Sequence, residues 1–131
     1  MREIKFRVWD KKEKSIDRVK YLNFKEHTIN GLCMDDEGIL MQYTGLTDKN
    51  SKEIYEGDIL VSKHFEKYID EWIRRICYVS FENGCFLATE TECKFGVSTL
   101  EDIISDGDGT WTVKIIGNIF ETPELLKEDE K

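Results

Sequence analysis

Phe81-Glu82-Asn83-Gly84-Cys85-Phe86 sets an Asn-Gly pair between two apolar runs. Both central residues of a type I′ turn need positive φ, and Asn-Gly adopts that geometry at least cost. The segment therefore predicts a hairpin in which residues 75–82 pair with 85–91. Upstream, Gly57-Asp58 precedes the short run Ile59-Leu60-Val61, the pattern of a backbone bend leading into a sheet strand. Between these two features Phe65, Ile69, Trp72 and Ile76 recur at helical intervals. Residues 64–75 thus read as a short helix or an extended insertion, followed by a strand from about Arg75. Downstream, Ser98-Thr99-Leu100-Glu101 is a capping-box pattern opening a short helix with Leu100, Ile103 and Ile104 on its apolar face. Gly107-Asp108-Gly109 closes that helix, and Trp111 to Phe120 reads as a strand. Thr122 then serves as N-cap and Pro123 as first position of a C-terminal helical turn, docked by Leu125 and Leu126.

Towards the N-terminus, Ile4, Phe6 and Val8 alternate with Lys5 and Arg7, which predicts a half-buried strand ending at Trp9. Asp10 to Ser15 is turn-like and Ile16 to Phe24 is a weaker strand, so residues 3–24 form a hairpin. Lys25 to Gly38 is irregular, with turn signals at Asn30-Gly31 and from Asp35 to Gly38. Ile39 to Thr44 is a strand, followed by a loop from Thr47 to Ser51. Six or seven short strands, two or three short helices and a single proline describe a mainly β chain, a small bent barrel carrying an N-terminal hairpin.

A length of 131 residues fits one domain, or one domain with a small appendage, and 40% hydrophobic residues suffice for one packed core. Acids outnumber bases 27 to 19, and the net charge of -8 weighs against indiscriminate nucleic-acid binding. The charge is uneven. Residues 1–25 hold nine bases against four acids, a net of +5, so the rest of the chain carries -13. Two readings are favoured together: a basic hairpin lying against an acidic body of the same or a neighbouring subunit, and a lysine-rich edge that blocks strand aggregation. The third reading places Arg2, Lys5, Arg7, Lys11, Lys12 and Lys14 on the phosphates of a nucleic acid.

Charges interrupt the N-terminus every second residue, which argues against a signal peptide, and no stretch approaches the roughly 18 apolar residues of a membrane span. A cytoplasmic protein is expected, with Cys33, Cys77, Cys85 and Cys93 as reduced, half-buried thiols. The last three cysteines are too widely spaced for the usual zinc pairs, so neither a metal nor a cofactor is expected. A Cys–His nucleophile with His27 or His64 has no local signature. No phosphate loop is present, and Trp111 stands where a calcium loop beginning at Asp106 needs glycine. The acids Asp35-Asp36-Glu37, Glu101-Asp102 and Asp106/Asp108 read as solvated. Phe6, Trp9, Tyr43, Tyr55, Tyr78, Phe81, Phe86, Trp111 and Phe120 read as core packing.

Three blocks carry a family resemblance. Arg2-Glu3-Ile4-Lys5-Phe6-Arg7-Val8-Trp9-Asp10 resembles the opening of the YopX protein family. The run from Met41 to Asn50, continued through Ile54-Tyr55-Glu56-Gly57-Asp58-Ile59, resembles its most recognisable block. Ile116-Gly117-Asn118-Ile119-Phe120-Glu121-Thr122-Pro123-Glu124-Leu125-Leu126 is similar to its close. Residues 23–37 and 62–78 carry no clear family motif, and Ser51 stands where the family often has glycine. The resemblance implies a mostly β fold with an SH3-like small barrel starting near Gly57-Asp58. The chain is then expected to divide into an N-terminal hairpin region over residues 1–50 and the barrel with its short helices over 51–131, or to form one compact unit of the two. The resemblance also implies a phage or prophage origin and life in the host cytoplasm, and it assigns no catalytic residue.

The expectation is therefore a non-enzymatic module that binds a protein partner or assembles into a homo-oligomer, its opposite charges pairing between subunits. The alternatives are nucleic-acid contact through the basic hairpin, an acidic mimic of DNA, and an enzyme without a readable motif.

Overall fold

The computed structural model describes residues 3–90, 97–104 and 111–130. The described strands are β1 (Phe6–Asp10), β2 (Ser15–Arg18), β3 (Leu22–Asn23), β4 (Thr28–Ile29), β5 (Leu32–Cys33), β6 (Gly38–Thr47), β7 (Glu53–Tyr55), β8 (Asp58–Glu66), β9 (Glu71–Glu82), β10 (Cys85–Glu90), β11 (Val97–Thr99) and β12 (Trp111–Asn118). Helix α1 (Leu100–Ile104) and a 3-10 helix (Pro123–Glu130) complete them. The chain is mainly β. Its strands form antiparallel sheets in the orders β2-β1-β6-β7, β11-β10-β9-β8-β12 and β3-β4-β5.

Both Asn-Gly pairs make the turn their chemistry favours. Asn83 and Gly84 take φ of 53° and 81°, and Asn30 and Gly31 take 51° and 86°. The first sets β9 against β10 with Glu82 opposite Cys85 and Cys77 opposite Glu90. The second joins β4 to β5, so part of the segment read as irregular is a small sheet of two-residue strands.

Residues 64–75 are not helical. Strand β8 continues to Glu66, Lys67–Asp70 turn the chain, and β9 returns with Glu66 opposite Glu71 and Ile59 opposite Tyr78. Phe65 and Trp72 face each other across this hairpin with ring centroids 5.6 Å apart, so their helix-like spacing comes from a cross-strand pair flanking a four-residue turn. The turn closes with Asp70 at φ 54°. Equivalent four-residue turns end at Lys14 between β1 and β2 and at His27 between β3 and β4, each also at φ 54°.

The buried core is aliphatic. Val8, Ile29, Ile54, Ile59, Leu60 and Leu100 are fully enclosed, each such burial contributing roughly 1.5–3 kcal/mol. Ile54, Leu60, Cys77, Val79, Ala88, Leu100 and Val113 form one cluster, against which Ile103 and Ile104 of α1 pack. Consecutive burial from Asp58 to Ser62 shows β8 covered on both faces. Of the aromatics expected in the core, only Tyr43 counts as buried among the described side chains, and Phe81 is 48% exposed. Phe86 packs against the core cluster, and Trp9 stacks on Phe120 with ring centroids 5.7 Å apart. Trp111 lies on β12 as expected, but its side chain is outside the described residues.

Gly57 joins the two larger sheets. Its N–H donates to Val79 O at 2.8 Å and its carbonyl accepts from Ile119 N at 2.8 Å. At φ +85°, with Phe120 3.2 Å from where a Cβ would stand, no other residue fits there without strain. Residue 50, the expected division, lies between β6 and β7, which pair with each other in one sheet.

Candidate interaction surfaces

Alternation along the N-terminal strand buries Val8 and turns Lys5 and Arg7 towards Glu53 and Asp58. The Arg7 guanidinium donates to Asp58 Oδ1 and lies 4.7 Å over the Tyr55 ring. Asp58 is 2% exposed, and its other oxygen accepts the Tyr55 N–H at 2.8 Å. Burial pushes the Asp58 carboxyl above its ordinary range, against the opposing pull of the Arg7 charge and of both hydrogen bonds. Arg7 Nε is buried without a hydrogen-bond partner among the described residues. Beside this pair, the Lys5 ammonium donates to Glu53, sits 3.1 Å from Glu3 and lies 5.3 Å over Tyr43. Those two carboxylates hold Lys5 well above the usual lysine range.

The polar residues of the central and C-terminal motifs are tied up in the same way. Thr44 Oγ1 donates to Ile54 O at 2.8 Å and accepts from Leu46 N. Asp48 accepts backbone N–H groups from Asn50 at 2.8 Å, Lys52 at 3.0 Å and Ile115 at 3.0 Å. Burial pushes its carboxyl up, but these donors outweigh burial and hold it below the usual carboxylate range. Asn118 Oδ1 accepts from Phe120 and Glu121, while Thr122 Oγ1 bonds back to both the N–H and the carbonyl of Asn118. The Thr122 hydroxyl is thus turned back onto Asn118, and only its carbonyl enters the following helix, accepting from Leu125 N at 3.1 Å. Asp48, Asp58 and Asn118 are hubs that sequence reading passed over. Only Asn118 carried a signal, as a polar residue set inside the apolar run from Ile115 to Phe120.

The six basic residues proposed for phosphate contact fall in different settings where they are described. Arg2 lies outside the described residues. Lys5 and Arg7 are neutralised by acids of the same chain, and Lys11 donates to the Asp35 carbonyl. Lys12 and Lys14 stand exposed on the β1–β2 turn.

The described cysteines differ in setting. Cys77 is buried, and burial pushes its thiol up to about 12. Cys33 and Cys85 are exposed and not half-buried as expected. Glu37 accepts the Cys33 N–H at 3.0 Å, and the carboxylate raises the thiol of Cys33. Cys93, Asp106 and Asp108 lie outside the described residues. Among the described residues no group of three His, Cys, Asp or Glu side chains could hold a metal ion. No described helix is long and apolar enough to cross a membrane.

Two exposed apolar regions stand out. One is the tip of the β8–β9 hairpin, where Tyr68 is 97%, Ile69 55% and Trp72 61% exposed. The other lies on the basic N-terminal segment, where Ile4, Tyr21 and Phe24 are 66%, 58% and 74% exposed. A cleft of about 390 Å³ opens beside the second region, lined by Ile4, Lys5, Phe6, Arg18, Glu53 and Tyr55 among others.

The chain is 28% identical to the protein in the crystal structure of EF1440 from Enterococcus faecalis, with 96% of this chain and 99% of that one covered at a TM-score of 0.65. No curated protein matches the sequence. The YopX protein model matches residues 5–127, the span that holds the Arg7–Asp58 pair, the Asp48 and Asn118 hubs and the Gly57 junction. The chain therefore belongs to the YopX protein family.

Proposed function

We propose that this chain is a non-enzymatic interaction module that engages a protein partner, or a second copy of itself, through the tip of the β8–β9 hairpin. The observation that carries this reading is the exposure of Tyr68, Ile69 and Trp72 at that tip. Large contiguous apolar side chains on a surface mark contact sites, and aromatic anchors supply most of the energy of such contacts. Phe65 and Trp72 hold each other in an edge-on pair, so the anchor is ordered before the partner arrives. The motif polar residues are bonded within the fold, which supports a scaffold role for them rather than a chemical one. Lys5 and Arg7 are likewise unsuited to phosphate contact, since Glu53 and Asp58 already hold them. The reading takes over from the family resemblance a phage or prophage origin, a place in the host cytoplasm, and an SH3-like barrel for the sheet β11-β10-β9-β8-β12.

The test combines light scattering of the purified chain with a pull-down from host lysate. Expected is either a concentration-dependent oligomer or a stoichiometric protein partner, in each case lost in Tyr68→Ser and Trp72→Ser while thermal stability is kept. A monodisperse monomer that recovers no stoichiometric protein, or a contact indifferent to both substitutions, would overturn the proposal.

A further inference from the structure

We infer that a second face, built by residues 18–25 beside the N-terminal cleft, binds single-stranded nucleic acid. It is separate from the hairpin tip and does not depend on the reading above. With Lys5 and Arg7 neutralised internally, and with Lys11 and Lys12 of the β1–β2 turn lying beside Asp35 and Glu37, the exposed positive charge of the N-terminal region rests on Arg18, Lys20 and Lys25. Residues 11–26 hold six bases, Lys11, Lys12, Lys14, Arg18, Lys20 and Lys25, against the acids Glu13, Asp17 and Glu26.

Two exposed aromatics, Tyr21 and Phe24, are flanked by the last three of those bases, Arg18 and Lys20 before them and Lys25 after. Exposed rings flanked by cations are what a flexible strand needs, with phosphates on the cations and bases stacked on the rings. The segment is also held in shape. Asn30 Oδ1 accepts the N–H groups of Lys20 at 2.7 Å and Tyr21 at 3.2 Å, and its amide donates to Arg18 O at 2.8 Å. The Asn30 N–H donates to Tyr21 O at 3.0 Å. Asn23 Oδ1 accepts from Glu26 N at 2.9 Å and closes the turn that presents Phe24 and Lys25. Arg18 continues into the 390 Å³ cleft, whose one acid, Glu53, is already bound by Lys5. The overall charge of -8 then limits the contact to this face and makes it depend on salt. Duplex DNA buries its base faces and so offers nothing to the rings.

The test is fluorescence anisotropy of labelled oligothymidylate of about 15 nucleotides, titrated with the full chain at low salt. Binding should weaken with salt at a log–log slope of about -2 to -3, as three or four phosphate contacts require. Tyr21→Ala and Phe24→Ala should each weaken it by about 5- to 150-fold. Lys20→Glu with Lys25→Glu should abolish it, and Trp72→Ser should leave it unchanged. All of these side chains are exposed, and unchanged melting curves confirm intact folding. No anisotropy change up to about 100 µM protein, equal binding to a duplex, or aromatic variants that bind like the parent chain would each overturn the inference.

Discussion

Replacing Arg7 by Met tests whether the buried pair with Asp58 holds the N-terminal strand to the rest of the fold. Asp58 is 2% exposed and the Arg7 side chain 17%, so neither charge is well served by water. Without Arg7, Asp58 keeps the Tyr55 N–H and loses its compensating cation. Breaking such a pair from one side costs about 3–5 kcal/mol, because it strands a charge in the interior. In a chain of this length that is a fall in Tm of roughly 10–20 °C. The pH dependence follows from the raised Asp58 carboxyl. A raised carboxyl binds its proton more tightly folded than unfolded. Its contribution to stability is therefore fullest below the unfolded pKa and is lost as pH rises through the folded one. Removing Arg7 deletes the downward pull and extends that window to higher pH. The loss measured by urea unfolding should then be largest near about pH 8 and shrink towards about pH 5. Arg7→Met with Asp58→Asn should regain more than half of it, since Asn leaves no charge behind. A loss below about 1 kcal/mol, or one that does not change with pH, would refute the reasoning.

Other consequences follow from the same geometry. A Cβ on Gly117 would stand 2.1 Å from Thr122 Oγ1 and 2.9 Å from Leu125 Cδ1. Gly117→Ala should therefore cost about 2–3 kcal/mol in urea unfolding and open the C-terminal helix to limited proteolysis. Ser51 holds the turn at φ 63°, a conformation that disfavours a Cβ. Ser51→Gly should stabilise by about 0.5–1 kcal/mol, the relieved strain exceeding the added chain entropy. With Cys93 replaced by Ser, a thiol reagent should modify Cys33 and Cys85 in the folded protein and reach Cys77 only on unfolding. Glu37→Gln should speed labelling of Cys33 by lowering its thiol towards the ordinary value.

What the sequence determined by itself was local. Asn83-Gly84 had to turn, because few other pairs tolerate two successive positive φ values, and the alternation around Phe6 and Val8 had to make a one-sided strand. Both short helices begin where the sequence opened them, at Leu100 and at Pro123, whose fixed φ suits a first helical position. The family blocks were legible too, and Ser51 shows how a departure is absorbed: the turn keeps its left-handed residue without the glycine. The β8–β9 hairpin was not legible, because Lys67–Asp70 carry no glycine or Asn-Gly marker and an aspartate, Asp70, takes the φ of 54°. The strands β3, β4 and β5 are too short to show a period.

Only the tertiary structure decided what the charges and apolar side chains are for. Lys5 and Arg7 read on paper like Lys12 and Lys14, yet the first two meet Glu53 and Asp58, 48 and 51 residues away, and the others meet water. Sequence periodicity assigns a residue to a face, but which face is covered depends on the elements that pack there. Trp72 therefore stands exposed on its strand while Val79, seven residues further along the same strand, is buried beneath the sheet's partners. Local propensity fixes turns and strands because its energies act within a few bonds. Neutralisation and exposure are long-range properties and come into being only when the sheets close on each other.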